Sequence, residues 1–108
     1  MRILKFRINR QIITQDPTCD FDDMVPGTEG YLKAEFEFSE EWDNLIKVVA
    51  FYRSGNECEP KVLKDGKSCT IPSEALINRK FSISVIGRSI DKKIKLTTNK
   101  IDVVQNGG

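Results

Sequence analysis

The sequence predicts an all-β fold, an antiparallel β-sandwich of about eight short strands with one short helical turn. Three observations lead there. Short runs alternate apolar and polar with period two, as in "LKAEFEF" and "KFSISVIG". Gly, Pro, Asn and Asp punctuate those runs at close intervals. Only one segment reads as helical, so helices for parallel crossovers are lacking. A small barrel is the architectural alternative. A chain of 108 residues fits a single core. One domain is expected over residues 1–105, with Asn106-Gly107-Gly108 as a flexible end.

The first strand is expected from Ile3 to Ile8, with Leu4, Phe6 and Ile8 on the core face and Ile12-Ile13 as its continuation. Residues 15–30, "QDPTCDFDDMVPGTEG", combine turn formers with acids and read as loop. The next strand places Leu32, Ala34, Phe36 and Phe38 inward and Tyr31, Lys33, Glu35 and Glu37 outward. "EEWDN" then turns the chain. Residues 45–53, "LIKVVAFYR", are apolar on both faces, which predicts a central strand covered on both sides. Ser54-Gly55-Asn56 predicts a hairpin into residues 57–63, where Pro60 marks an edge or a bulge. Asp65-Gly66 predicts a second hairpin, into residues 67–71, pairing Lys64 with Lys67 and Val62 with Cys69. "PSEALIN", residues 72–78, is the helical turn, with Pro72 at its start. The last strands are residues 80–87, a segment with Ile94 and Leu96 inward and Lys93 and Lys95 outward, and "KIDVVQ", residues 100–105.

Charge gives no reason to expect nucleic acid, because the net value is +1. Its distribution is uneven. Residues 1–60 hold 7 Lys/Arg and 12 Asp/Glu, or −5, and residues 61–108 hold 10 and 4, or +6. The simpler reading is that strands from the two halves neutralise each other. The sharper one is that opposite faces carry opposite charge and stack copies head to tail. No apolar run approaches the roughly 20 residues that cross a bilayer. The charged N-terminus lacks a signal-peptide core, so the reading is a protein made in the cytoplasm.

Catalysis has little to work with. The chain has no histidine, so Ser–His and Cys–His nucleophile systems cannot be built. Carboxylates are plentiful, but nothing marks a pair held across a cleft. "VIGRS" lacks phosphate-cradling glycine spacing. The three cysteines, Cys19, Cys58 and Cys69, lack zinc spacing and read as small, mostly buried thiols, with a Cys58–Cys69 disulfide as the alternative. Asp20, Asp22 and Asp23 invite a calcium reading, but their spacing is not that of an EF-hand, so a solvated acidic loop is preferred. No enzyme activity, cofactor or metal is expected.

Trp42, the single tryptophan, sits in "FSEEWDN" and carries two readings. It is either a plug that closes the end of the core or a stacking platform for sugar, with Tyr31 and Tyr52 as the other platform candidates. The plug is preferred. The candidate interaction surface comprises Asp20, Asp22, Asp23, Tyr31, Trp42, Tyr52, Lys93 and Lys95. The Pro60 edge and "KIDVVQ" are candidate docking edges.

Three stretches, "GTEGYLKAEFEFSEEWDNLIKVVAFYRSG", "VLKDGKSCTIPSEALINRKFSISVIG" and "KLTTNKIDVVQNGG", together resemble a family of small phage and prophage proteins from Gram-positive bacteria. The shared pattern is an aromatic-rich strand ending in Phe-Ser-x-x-Trp, a Val-Ala-Phe strand, a Cys-x-Ile-Pro element, a Val-x-Gly strand and a Thr-Asn-Lys end. It covers residues 27–108. The resemblance implies an immunoglobulin-like sandwich placed in a virion tail, baseplate or head fibre. It implies structural roles for Phe36, Phe38, Trp42, Phe51, Pro72 and Gly87, and it brings no catalytic residues. The expected function is a non-enzymatic interaction module in the virion, with a virion protein or a second copy as partner, in a symmetric oligomer such as a trimer or hexamer. Localisation would be virion or host cytoplasm. The alternatives are a small inhibitor of a host defence protein, imitating nucleic-acid phosphates through Asp16 to Glu29, and a cell-wall carbohydrate-binding module.

Overall fold

Leu4, Phe6 and Ile8 are buried while Ile3, Lys5 and Arg7 between them are exposed, so the period-two pattern of the first strand translates directly into a two-faced strand. In the computed structural model, which describes residues 1–107, ten strands form two facing sheets. They are β1 (Arg2–Asn9), β2 (Ile12–Gln15), β3 (Leu32–Phe38), β4 (Ile46–Arg53), β5 (Asn56–Glu57), β6 (Lys61–Val62), β7 (Ser68–Thr70), β8 (Lys80–Arg88), β9 (Lys95–Thr97) and β10 (Ile101–Val104). One sheet has the order β2-β1-β3-β7. The other has the order β10-β8-β4-β5, with β6 also on β4 and β9 also on β8. Two 3₁₀ turns, Glu40–Trp42 and Ser73–Leu76, close opposite ends, one more than the sequence predicts. None of the described residues forms a helix long and apolar enough to cross a membrane.

The all-β sandwich stands, but one pairing is not antiparallel. β1 and β3 run parallel, with Leu4 beside Ala34, Phe6 beside Phe36 and Ile8 beside Phe38. The cause lies between them. Arg10, in the left-handed region at φ 57°, turns the chain into β2, so Ile12-Ile13 forms a hairpin with β1 instead of extending it. The long loop after β2 then carries the chain back to the start of β1. Arg2 holds that loop in place, since its Nη2 donates to the carbonyls of Asp20 and Asp22.

The core lies between the sheets. Leu4, Phe6, Ile8, Ile13, Leu32, Ala34 and Phe36 face Val49, Phe51, Phe81, Ile83, Val85 and Val103. A chain of rings runs along it, with centroid separations of 5.5 Å for Phe21–Phe6, 5.4 Å for Phe6–Phe36, 6.0 Å for Phe36–Phe38 and 5.3 Å for Phe38–Trp42.

The hairpin at Ser54-Gly55 forms as predicted, with φ of 51° and 80°, both left-handed, as a type I′ turn requires. The strand after it breaks around Pro60 into β5 and β6, both along the edge of β4. The second predicted hairpin does not form. β6 pairs with β4 (Val48 beside Val62), whereas β7 crosses to the other sheet and pairs with β3 (Ala34 beside Cys69). Asp65-Gly66 is a real turn that switches sheets. The Asp65 carboxylate accepts from the Lys67 and Ser68 N–H groups and from the Ser68 hydroxyl. Cys58 and Cys69 are therefore not bridged, and all three thiols are free. Burial pushes the Cys69 thiol up to about 12.

The Asp65 hydrogen bonds, that to Ser68 first, hold its carboxyl well below the ordinary 3.8. A carboxylate depressed in the folded state contributes stability above its unfolded pKa and loses it as pH falls through the folded one. Asp16, Asp91 and Asp102 are lowered too, so the urea midpoint is expected to fall steadily below about pH 4. Asp65→Asn should flatten that acid limb. An unchanged slope would remove Asp65 from the account.

Asn106 and Gly107, expected to be free, are hydrogen-bonded to the long loop. The Gly107 N–H donates to the Met24 carbonyl at 2.9 Å, and Asn106 Oδ1 accepts from the Asp23 N–H at 3.2 Å. Just before them Gln105 is fully buried, its Nε2 donating to the carbonyls of Leu76 (2.9 Å) and Asn78 (2.7 Å). This side chain clamps the Ser73–Leu76 turn to the last strand. Gln105→Ala leaves the Asn78 carbonyl without this donor, while the Leu76 carbonyl keeps the Gly27 N–H, and the change is expected to cost about 1–2 kcal/mol, read from urea melts. A change below a few tenths would show that water replaces the clamp.

Candidate interaction surface on the six-stranded sheet

The predicted site residues fall into separate places. Trp42 is 0% exposed, packed against Phe38, and its Nε1 donates to the Arg10 carbonyl at 2.7 Å. It is the plug, and its placement on the interaction surface is corrected. The 3₁₀ turn it belongs to swings it inward from the end of β3. Tyr52 is half-buried, and the Lys100 ammonium lies 3.8 Å from its ring centroid, covering the face a sugar would need. Tyr31 is exposed beside the acidic loop, at the end of the sandwich where β1 and β3 begin.

Asp20, Asp22 and Asp23 lie at that same end. Asp20 Oδ1 accepts from the Asp22 N–H at 2.8 Å and stands 3.8 Å from Arg2. Asp22 Oδ1 is 3.4 Å from the Asn106 amide. The described residues include no group of three or more His, Cys, Asp or Glu able to hold a metal ion. Lys93 and Lys95 are at the opposite end, in and after the loop that joins β8 to β9.

That end holds a feature whose meaning periodicity alone misses. β4 is central, but only Val49, Ala50 and Phe51 in it are buried; Ile46 is 52% exposed and Val48 is half-buried. The expected covering of its second face is therefore corrected. Across the register Val48 lies between Val62 and Ile86, and Ile46 lies beside Arg88. Ile94, expected inward, is 56% exposed, whereas Leu96 packs on the core as predicted.

Ile46, Val48, Ile86 and Ile90 line a groove of about 370 Å³, together with Arg88, Ser89, Lys92 and Lys95. Ile90 stands 82% exposed on its wall. The loop that carries it is internally braced. Ser89 Oγ accepts from the Ile94 N–H at 3.0 Å, and Asp91 Oδ1 accepts from the Lys93 N–H at 3.0 Å. The Ser89 hydroxyl also donates to Asp91, the largest cause of that carboxyl's lowered pKa. Its acid is thus turned into its own loop. Arg88, Lys92, Lys93 and Lys95 make no ion pair with any described residue. The outcome is an open apolar floor with a cationic rim, a combination suited to an apolar side chain flanked by carboxylates.

The sheet edges differ in availability. β2 is partly sealed, because Asn99 Oδ1 accepts from the Ile13 N–H and the Asn99 N–H donates to the Gln11 carbonyl. β10, the "KIDVVQ" strand, and the β5–β6 line are the outer strands of the six-stranded sheet.

Comparison with protein-family models, curated proteins and solved structures finds no match to the chain.

Proposed function

We propose that the protein is a non-enzymatic interaction module of a phage or prophage particle, docking through the outer face of its six-stranded sheet. The observation that carries the docking role is the apolar groove of Ile46, Val48, Ile86 and Ile90, exposed at Ile46 and Ile90 and half-buried at the other two, with its Arg88, Lys92 and Lys95 rim. Clustered exposed apolar side chains rimmed by charged ones are the usual mark of a contact site. The particle context rests on the sequence resemblance. An immunoglobulin-like character is supported by the β10-β8-β4-β5 order facing a β3–β7 pair, which parallels the G-F-C-C′ and B-E neighbours of that fold. The parallel β1 departs from it. A carbohydrate-binding role loses its platform with Trp42 inside the core.

The test is quantitative mass spectrometry of purified particles from the phage or induced prophage that encodes the chain. Fixed stoichiometry, lost in an Ile90→Asp variant of native stability, is the expected result. Absence from particles alongside abundance in infected cells would sink the reading and favour the inhibitor alternative.

A further inference from the structure

We infer that copies of this chain associate head to tail, the loop at one end of one copy seating Val25 in the apolar groove at the far end of the next. The inference rests on reading the outer face of the six-stranded sheet as a docking surface, and it names the occupant.

The first support is the polarity of β8. Its Lys80 end lies beside Val104 of β10, and the chain just after β10 is bonded to Asp23 and Met24 of the acidic loop. Its Arg88 end lies beside Ile46 and Lys95, at the groove. Eight residue steps of strand separate the two, or roughly 26 Å at about 3.3 Å per step. Within one molecule the loop cannot reach the groove; between two molecules nothing needs to move.

The second support is complementary chemistry. Val25 is 50% exposed, an aliphatic residue with Asp22, Asp23 and Glu29 exposed around it in sequence. None of these three acids makes an ion pair with a described residue. The groove offers the converse, an aliphatic floor and three cations equally without ion pairs. Val25 follows the buried Met24, whose carbonyl is held by Gly107, and the Gly27 N–H donates to the Leu76 carbonyl at 2.8 Å. The loop is therefore braced on both sides of Val25, and presenting it costs little ordering entropy.

Such a contact is heterologous, so it propagates as a stack or closes as a ring. One side chain in one groove makes a small interface, so association is weak and concentration-dependent. The test is an NMR dilution of labelled protein from about 1 mM to about 10 μM, the range in which small interfaces dissociate. Amides around Val25 and around Ile90 should shift together along one binding curve, and 0.5 M salt should shrink both, on the order expected for exposed charges.

Ile90→Asp and Val25→Lys, both at exposed positions, should each weaken self-association about tenfold or more. Mixing the two variants should restore one contact, because one keeps the loop and the other keeps the groove. Labelled Ile90→Asp should then shift only around Val25. No shift at either end at high concentration, shifts at one end only, or a mixture that restores nothing would each overturn the inference. Loss of particle incorporation in Ile90→Asp without any self-association would leave the proposed docking face standing with a foreign occupant.

Discussion

Replacing Trp42 by Ala is expected to cost about 3–5 kcal/mol of folding stability, the range for removing a buried large aromatic. The indole is fully buried at the end of the core and carries the ring chain forward from Phe38 at 5.3 Å. Its N–H bond to the Arg10 carbonyl is the smaller part of the cost, because one hydrogen bond contributes about 0.5–1.5 kcal/mol net. Trp42→Phe should therefore lose less, about 1–2 kcal/mol. Domains of this size have about 5–15 kcal/mol in all, so the alanine variant should show a much lower urea midpoint with an unchanged slope. An alanine variant as stable as the parent would show that the ring is dispensable to the core.

Gly87→Ala is the second large effect, and it arises from the same ring. A Cβ on Gly87 would lie 2.8 Å from Trp42 Cζ3, 2.9 Å from Cε3 and 3.0 Å from Leu45 Cδ1. Atoms at those separations must move apart, and the buried indole has little room to yield. Overpacking of this kind costs about 1–3 kcal/mol. The stiffer unfolded chain returns only about 0.4–1 kcal/mol, so the net sign is destabilising. Coupling makes the test specific. In a Trp42→Ala background the two indole atoms are gone and only the Leu45 Cδ1 end remains at 3.0 Å, so the same methyl should cost much less. A double-mutant cycle should thus give an interaction energy of about 0.5–3 kcal/mol. Additive costs would place the clash elsewhere. The pairing also gives a physical reason for Phe-Ser-x-x-Trp and Val-x-Gly to occur in one chain, since the glycine makes room for the ring.

The two sets of interaction-surface residues teach different lessons about legibility. Lys93 and Lys95 are exposed as expected, but alternation does not account for Lys93, since Ile94 beside it is exposed too and both precede β9; Lys95 lies on the groove rim. The groove floor is not legible from alternation. Ile46 and Val48 belong to a strand whose two apolar faces predict covering on both sides, because periodicity reports an apolar face without reporting whether anything covers it. Surplus apolar residues on the outward parity of a central strand are the signal that was available, and its ambiguity is physical. Gln105 is a milder case. It shares the inward parity of Ile101 and Val103, so its burial could be read from spacing, but the carbonyls it clamps belong to a turn 27 and 29 residues earlier.

What the sequence determined by itself was local: the inward faces of β1, β3 and β8, the Ser54-Gly55 hairpin, the break at Pro60 and the sheet content of the whole chain. Each follows from side-chain alternation or from the backbone preferences of a few adjacent residues. The tertiary structure alone decided the parallel pairing of β1 with β3, the passage of β7 into the other sheet after Asp65-Gly66, and the distance between the acidic loop and the cationic groove. A turn residue bends the chain equally well toward either sheet, and a loop returns it to whichever edge its anchors reach. The choice belongs to contacts distant in sequence, such as Arg2 on Asp20 and Asp22, and to the competition for one shared core.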